Sequence, residues 1–125
     1  MRLLITGGRK FADRGLMWSV LDRLHAEDHV SLLIHGDARG ADRLAGEWAG
    51  ERGIPARACP LDRKQYGRTA ATKRNRQMLA SKPDLVVAFP GDSDTRHMTL
   101  IAEEAGVKVI YPEDIPELWP ANDPG

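Results

Sequence analysis

Cysteine is almost absent from this chain. Cys59 stands alone in 125 residues, which excludes an internal disulfide and fits a reducing cytoplasm. Net charge is absent as well: 18 Lys and Arg balance 18 Asp and Glu, so no bulk electrostatic pull favours nucleic acid or a membrane surface. No apolar run approaches the roughly 20 residues of a membrane span. The opening Met1-Arg2-Leu3-Leu4-Ile5-Thr6 is too short for a secretion signal and reads as a first strand. Aromatic residues are sparse. Trp18, Trp48 and Trp119 read as packing residues rather than base-stacking platforms. There is no repeat of solenoid length and no low-complexity tract, so the length predicts one domain.

What the chain has is a glycine-bearing turn that recurs after apolar strand-like runs. Leu3 to Thr6 runs into Gly7-Gly8-Arg9. Leu32 to His35 runs into Gly36-Asp37-Ala38-Arg39-Gly40. Leu85 to Phe89 runs into Pro90-Gly91-Asp92-Ser93-Asp94-Thr95. A helical pattern follows each turn. Helices are predicted at about 13–28, with Asp13 as N-cap, at 41–52, 69–81 and 95–105. Strands are predicted at 2–6, 31–35, 56–59, 85–89 and 107–111, with 60–67 as a polar loop. Continuous apolar strands alternating with helices predict an α/β three-layer sandwich around a mostly parallel five-stranded sheet. Ile115, Leu118 and Trp119 are expected to pack a terminal turn against the body, leaving Ala121 to Gly125 frayed. In such folds ligands sit at the carboxyl edge of the sheet.

The residues on that edge suggest anion binding. Gly7 and Gly8 let backbone approach a phosphate, and Arg9 can add a bidentate contact. The loop lacks both the dinucleotide fingerprint and the Walker lysine, so a tight turn explains it equally well. In the second loop Arg39 can face a phosphate. Asp42, at a helix start, can bind a ribose hydroxyl, and Asp37 is a general base or a turn residue. His35 reads as a satisfied core residue. Arg68, Lys73, Arg74 and Arg76 make the third long helix an anion-binding face or a solvated one. Ser93 or Thr95 can cap the last helix. Asp92 and Asp94 would repel a phosphate there. Their spacing suits Mg²⁺, but no third ligand is nearby, so no metal site and no cofactor is expected.

Four ordered motifs carry a resemblance: Leu-Leu-Ile-Thr-Gly-Gly-Arg, Ile-His-Gly-Asp-Ala-Arg-Gly-Ala-Asp, Arg-Asn-Arg-Gln-Met, and Phe-Pro-Gly followed by Thr four residues on. Together they resemble the YspA-type, YpsA-related branch (DUF2493) of the SLOG superfamily, the DprA and LOG Rossmann-like proteins. The resemblance covers about residues 2–111. It implies a family domain over 1–112, with 113–125 as a C-terminal turn and tail. It also implies a nucleotide-type ligand flanked by the Gly7-Gly8-Arg9 and Pro90-Gly91 to Thr95 loops. Thr6, Gly36, Arg39, Gly40, Asp42, Arg74 and Asn75 complete the expected site. Relatives in the LOG group hydrolyse the N-glycosidic bond of nucleoside monophosphates and carry Pro-Gly-Gly-x-Gly-Thr followed closely by Glu. Here Asp92 and Asp94 replace two glycines, and Arg96, His97 and Met98 stand where that Glu is expected.

The functional expectation is therefore binding of a nucleotide or nucleotide-derived ligand, as a sensor or small nucleotide-processing protein. The alternatives are a nucleoside-phosphate hydrolase using Asp37 or Asp42, and a DNA-binding module of the DprA kind. A cytoplasmic homodimer is the expected form.

Overall fold

The computed structural model describes residues 1–119, so the expectation for Ala121 to Gly125 lies outside the described residues. Five strands form one sheet, β1 (Arg2–Thr6), β2 (Leu32–His35), β3 (Ala56–Ala58), β4 (Leu85–Ala88) and β5 (Lys108–Ile110), in the spatial order β3-β2-β1-β4-β5. Every pairing is parallel, so the sheet is wholly rather than mostly parallel. β1 is central. Leu4 lies opposite Ile34 on one side and Val86 on the other.

The helices are α1 (Arg14–Glu27), α2 (Ala41–Glu51), α3 (Arg63–Tyr66), α4 (Ala70–Ala80) and α5 (Ser93–Glu104). Strand side chains alternate between faces, and each face has its own core. Leu3, Ile5, Leu33 and Val87 meet α1 and α2 through Met17, Leu21 and Trp48. Leu4, Ile34 and Val86 meet α4 and α5 through Met78, Met98 and Ile101. Leu118 joins the first core, with Ile115 and Trp119 packed against it, as the sequence predicts.

Local chemistry sets the helix ends. Asp13 accepts the Leu16 amide at 3.0 Å and starts α1. Met17, Val20, Leu21 and Leu24 then give it one apolar face. Trp48 anchors α2. Its ring is fully buried and its Nε1 donates to Asp22 on α1 at 2.8 Å. Asp22 also receives two guanidinium bonds from Arg52 at 2.8 Å, and that pairing holds its carboxyl below the usual range. Trp48→Ala should cost roughly 3–5 kcal/mol.

Two expectations need correction. Residues 60–67 are not a plain polar loop. Asp62 accepts the Gln65 amide at 3.0 Å and starts α3, and a 3-10 turn at Gly67–Thr69 leads into α4. The cap of α5 is neither Ser93 nor Thr95 but Asp92, whose Oδ1 accepts the Asp94 amide at 3.2 Å.

Candidate functional site

The carboxyl ends of β1, β2 and β4 converge at the point where the strand order reverses. After β3 the chain returns to the far side of β1 to form β4. The loops there touch through backbone. Gly8 N–H donates to the Pro90 carbonyl at 2.8 Å, and the Ala41 amide reaches the Gly8 carbonyl at 3.2 Å. Gly40 makes this contact possible. It sits at φ +80°, and a β-carbon there would overlap the backbone of Gly8 and Arg9. The Gly8 amide is therefore spent on Pro90, and the exposed Arg9 side chain is what this loop offers a ligand. Thr6 lies buried beneath, its carbonyl taken by the Phe89 amide at 2.9 Å.

The second loop carries the charged centre. Asp42, in the first turn of α2, is only 5% exposed. Burial pushes its pKa up to about 6. Arg74 and hydrogen bonding from the backbone of Ala38 and Gly36 pull it down, and Asp37 adds to the rise. Arg74 comes from α4, far along the chain, and is itself buried. Its Nη1 donates to the Gly36 carbonyl at 2.9 Å. The lack of a β-carbon at Gly36 leaves room for this contact. A β-carbon there would lie 2.8 Å from both the Arg74 Cζ and the Asp42 Oδ2. Asp42 and Arg74 thus share the space above one glycine.

Asn75 extends the network toward α5. Its Oδ1 accepts Arg74 Nε at 3.1 Å. Arginine only donates, so this bond fixes the orientation of the amide. Asn75 Nδ2 then donates to the Asp94 carbonyl at 3.2 Å and meets His97 Nδ1 at 3.0 Å. His97 Nδ1 is therefore the acceptor, and its ring proton sits on Nε2. His97 was not among the residues expected to matter, because its link to Asn75 is not a sequence spacing.

His35 is a satisfied core residue, as the sequence reading has it. It is 6% exposed, and its Nδ1 accepts the Asp37 amide at 3.0 Å. Burial holds its pKa below the ordinary value, and the Asp37 charge opposes that. Asp37 is exposed and adopts φ +57°, a left-handed conformation that Asp tolerates better than most side chains.

Arg9 and Arg39 are exposed and line the same hollows. One, of about 810 Å³, runs over Gly8, Arg9, Lys10, Phe11 and the Pro90 to Asp92 loop. A smaller one, of about 180 Å³, lies over Gly36 to Arg39. Among the described residues neither arginine closes an ion pair. Gly91 packs onto Thr95, whose buried hydroxyl has no hydrogen-bond partner. Asp92 and Asp94 sit in this loop, Asp92 committed to its cap. Among the described residues, no three His, Cys, Asp or Glu side chains are placed to hold a metal. A hollow of about 800 Å³ also opens at the opposite edge, between α1 and β5. None of the glycine loops lines it.

Residues 1–66 match the model of the YspA, cpYpsA-related SLOG family. A curated relative, the Gene 61 protein of Mycobacterium phage D29, is 39% identical over 123 residues, covering 92% of this chain and 98% of that protein. The chain belongs to the YspA, cpYpsA-related SLOG family. Among solved structures, it is similar to DNA processing protein A (DprA) from Streptococcus pneumoniae, at TM-score 0.69 and 17% identity. The alignment covers 88% of this chain and 49% of that one, so the chain spans about half the length of this neighbour. At that identity the likeness shows a common fold. The SLOG fold here includes no helix, among the described residues, long and apolar enough to cross a membrane.

Proposed function

We propose that this SLOG protein binds a nucleotide or nucleotide-derived ligand at the carboxyl edge of its sheet. The observation that carries the reading is that Asp42 and Arg74, both buried, lie near one another above Gly36. An ionised carboxylate held out of water costs stability, and the sheet and its cores do not require one. Such groups concentrate at functional sites. Asp42 is suited to accept ribose hydroxyls, and Arg9 and Arg39 to meet phosphate with guanidinium forks. Thr6, Gly7 and Asn75 hold the edge in shape, and the Pro90, Gly91 and Thr95 loop closes its far wall. The position matches where open α/β sheets take their ligands.

One observation favours a second reading, a hydrolase of nucleoside phosphates. A pKa of about 6 leaves Asp42 able to give or take a proton near neutrality. Arg96, His97 and Met98 stand where the LOG glutamate is expected, and Met98 is fully buried in the apolar core, so none of the three supplies that carboxylate. Asp42 is then the acid/base, with Asp37 as the exposed second candidate. A DNA-binding role, the third reading, draws only on the likeness to DprA.

Calorimetric titration with nucleoside mono-, di- and triphosphates, followed by chromatography of the recovered ligand, tests both readings. Saturable binding lost in Arg39→Ala, with the ligand recovered intact, supports a binder. Release of free base or phosphate that Asp42→Asn abolishes makes the protein an enzyme. No binding across the set overturns the proposal.

A further inference from the structure

The hollows at this edge do not end where one nucleotide would. Arg9 and Arg39 line both the 810 Å³ hollow and the 180 Å³ hollow over Gly36. Leu61 lines that smaller hollow and also a third, of about 710 Å³, between α3 and α4. Through these shared residues the hollows adjoin in a line, here called the furrow, along the ends of β4, β1 and β2 toward α3. A compact ligand site needs as little as roughly 300 Å³.

Cations follow the furrow. Lys10, Arg9 and Arg39 occupy its first part, and Lys73, Arg74 and Arg76 its last. Four carboxylates share those walls: Asp13, Asp62 and Asp92 are occupied in capping α1, α3 and α5, and Asp37 is exposed beside Arg9 and Arg39. Six cations against four carboxylates leave these walls with a positive excess in a chain of zero net charge. An aromatic ring stands toward each end. Phe11 lines the first hollow, its ring tilted against Phe89 with the centres 5.1 Å apart. Tyr66 lines the last, 39% exposed, with Lys73 Nζ 5.7 Å from its ring centre.

We infer that the furrow takes a ligand of two nucleotide units, with linking phosphate at Arg9 and Arg39 and a base against Tyr66. This rests on the nucleotide reading above and extends it. Planar bases stack on aromatic rings with little regard to sequence, and guanidinium groups hold the phosphates between them. Two sources share this chemistry, a small dinucleotide and the end of a single-stranded nucleic acid.

The test is calorimetric titration of the whole protein with AMP, with the 5′-phosphorylated diadenylate pApA, and with a single-stranded adenylate octamer. Tyr66→Ala is the variant, because truncating Phe11 would disturb its packing on Phe89. Its fold is checked by circular dichroism. The expected result is pApA binding roughly tenfold or more tighter than AMP, with Tyr66→Ala erasing that gain and leaving AMP affinity unchanged. A further rise with the octamer assigns the source to single-stranded nucleic acid, and no rise assigns it to a dinucleotide. Equal affinity for AMP and pApA, or a gain that survives Tyr66→Ala, overturns the second unit and leaves the nucleotide reading standing. Binding of none of the three ligands overturns both.

Discussion

The Arg74 guanidinium lies across the α-carbon of Gly36, donating to its carbonyl at 2.9 Å and leaving no room for a β-carbon. One glycine at the end of β2 thus makes room for a buried cation from α4 near the buried carboxylate of α2.

Gly36→Ala should therefore displace Arg74 and cost roughly 1–3 kcal/mol, as overpacking does. Ligand affinity should fall with it. Gly50, inside α2 with nothing within 4 Å of a built β-carbon, is the control. Gly50→Ala should stabilise by about 0.5–1 kcal/mol. Urea midpoints of the two variants check the contrast.

Ionising the buried Asp42 costs stability. Its folded pKa, about 6, lies above the ordinary 3.8. The folded chain holds this proton more tightly than the unfolded chain does. The stabilisation from that proton is complete below about pH 4 and is lost as pH rises through about 6. Asp42→Asn, which cannot ionise, should be more stable than the parent by about 2–3 kcal/mol at pH 8. The advantage should vanish below pH 4, while ligand binding is lost at either pH. Unfolding midpoints at a series of pH values read this out.

His35 pulls the other way. Burial lowers its pKa, so the unfolded chain takes up a proton that the folded chain refuses. Its contribution is intact above the ordinary histidine pKa, near 6.5, and declines as pH falls below that value. The Asp42→Asn background isolates this effect. There, unfolding followed from pH 8 to pH 5 should show stability falling toward acid, and His35→Gln should flatten the dependence.

Thr95 carries a buried hydroxyl with no partner at the start of α5. Thr95→Val keeps the shape and removes the unsatisfied group, so stability should hold or rise by about 1 kcal/mol. If the hydroxyl is retained for a ligand, affinity should drop in the same variant. Melting temperature and titration, run side by side, separate the two effects.

Much of this was legible in the sequence. Strands that run apolar into glycine loops marked the carboxyl edge, and helical spacing found α1, α2, α4 and α5 within a few residues. α3 was missed because four residues cannot show an apolar period. Its signals were local: Asp62 three residues before Gln65, a capping pattern, and Gly67 at φ +52° as a stop. Asp92 was read as a charge when it is a cap. The strand order and the meeting of Arg74 with Gly36 had no sequence signal, because both depend on which helix covers which strand. Asp42 was noticed for its place at a helix start, but its burial beside Arg74 emerged only when α2 and α4 came together.

The most direct test of the central claim is an amide chemical-shift map of the protein titrated with AMP and pApA. The account predicts saturable shifts gathered at Gly7 to Arg9, Gly36 to Asp42 and Gly91 to Thr95, with Leu24, Ile110 and Leu118 at the opposite edge unmoved. Shifts centred on that opposite edge, or none that saturate, would contradict it.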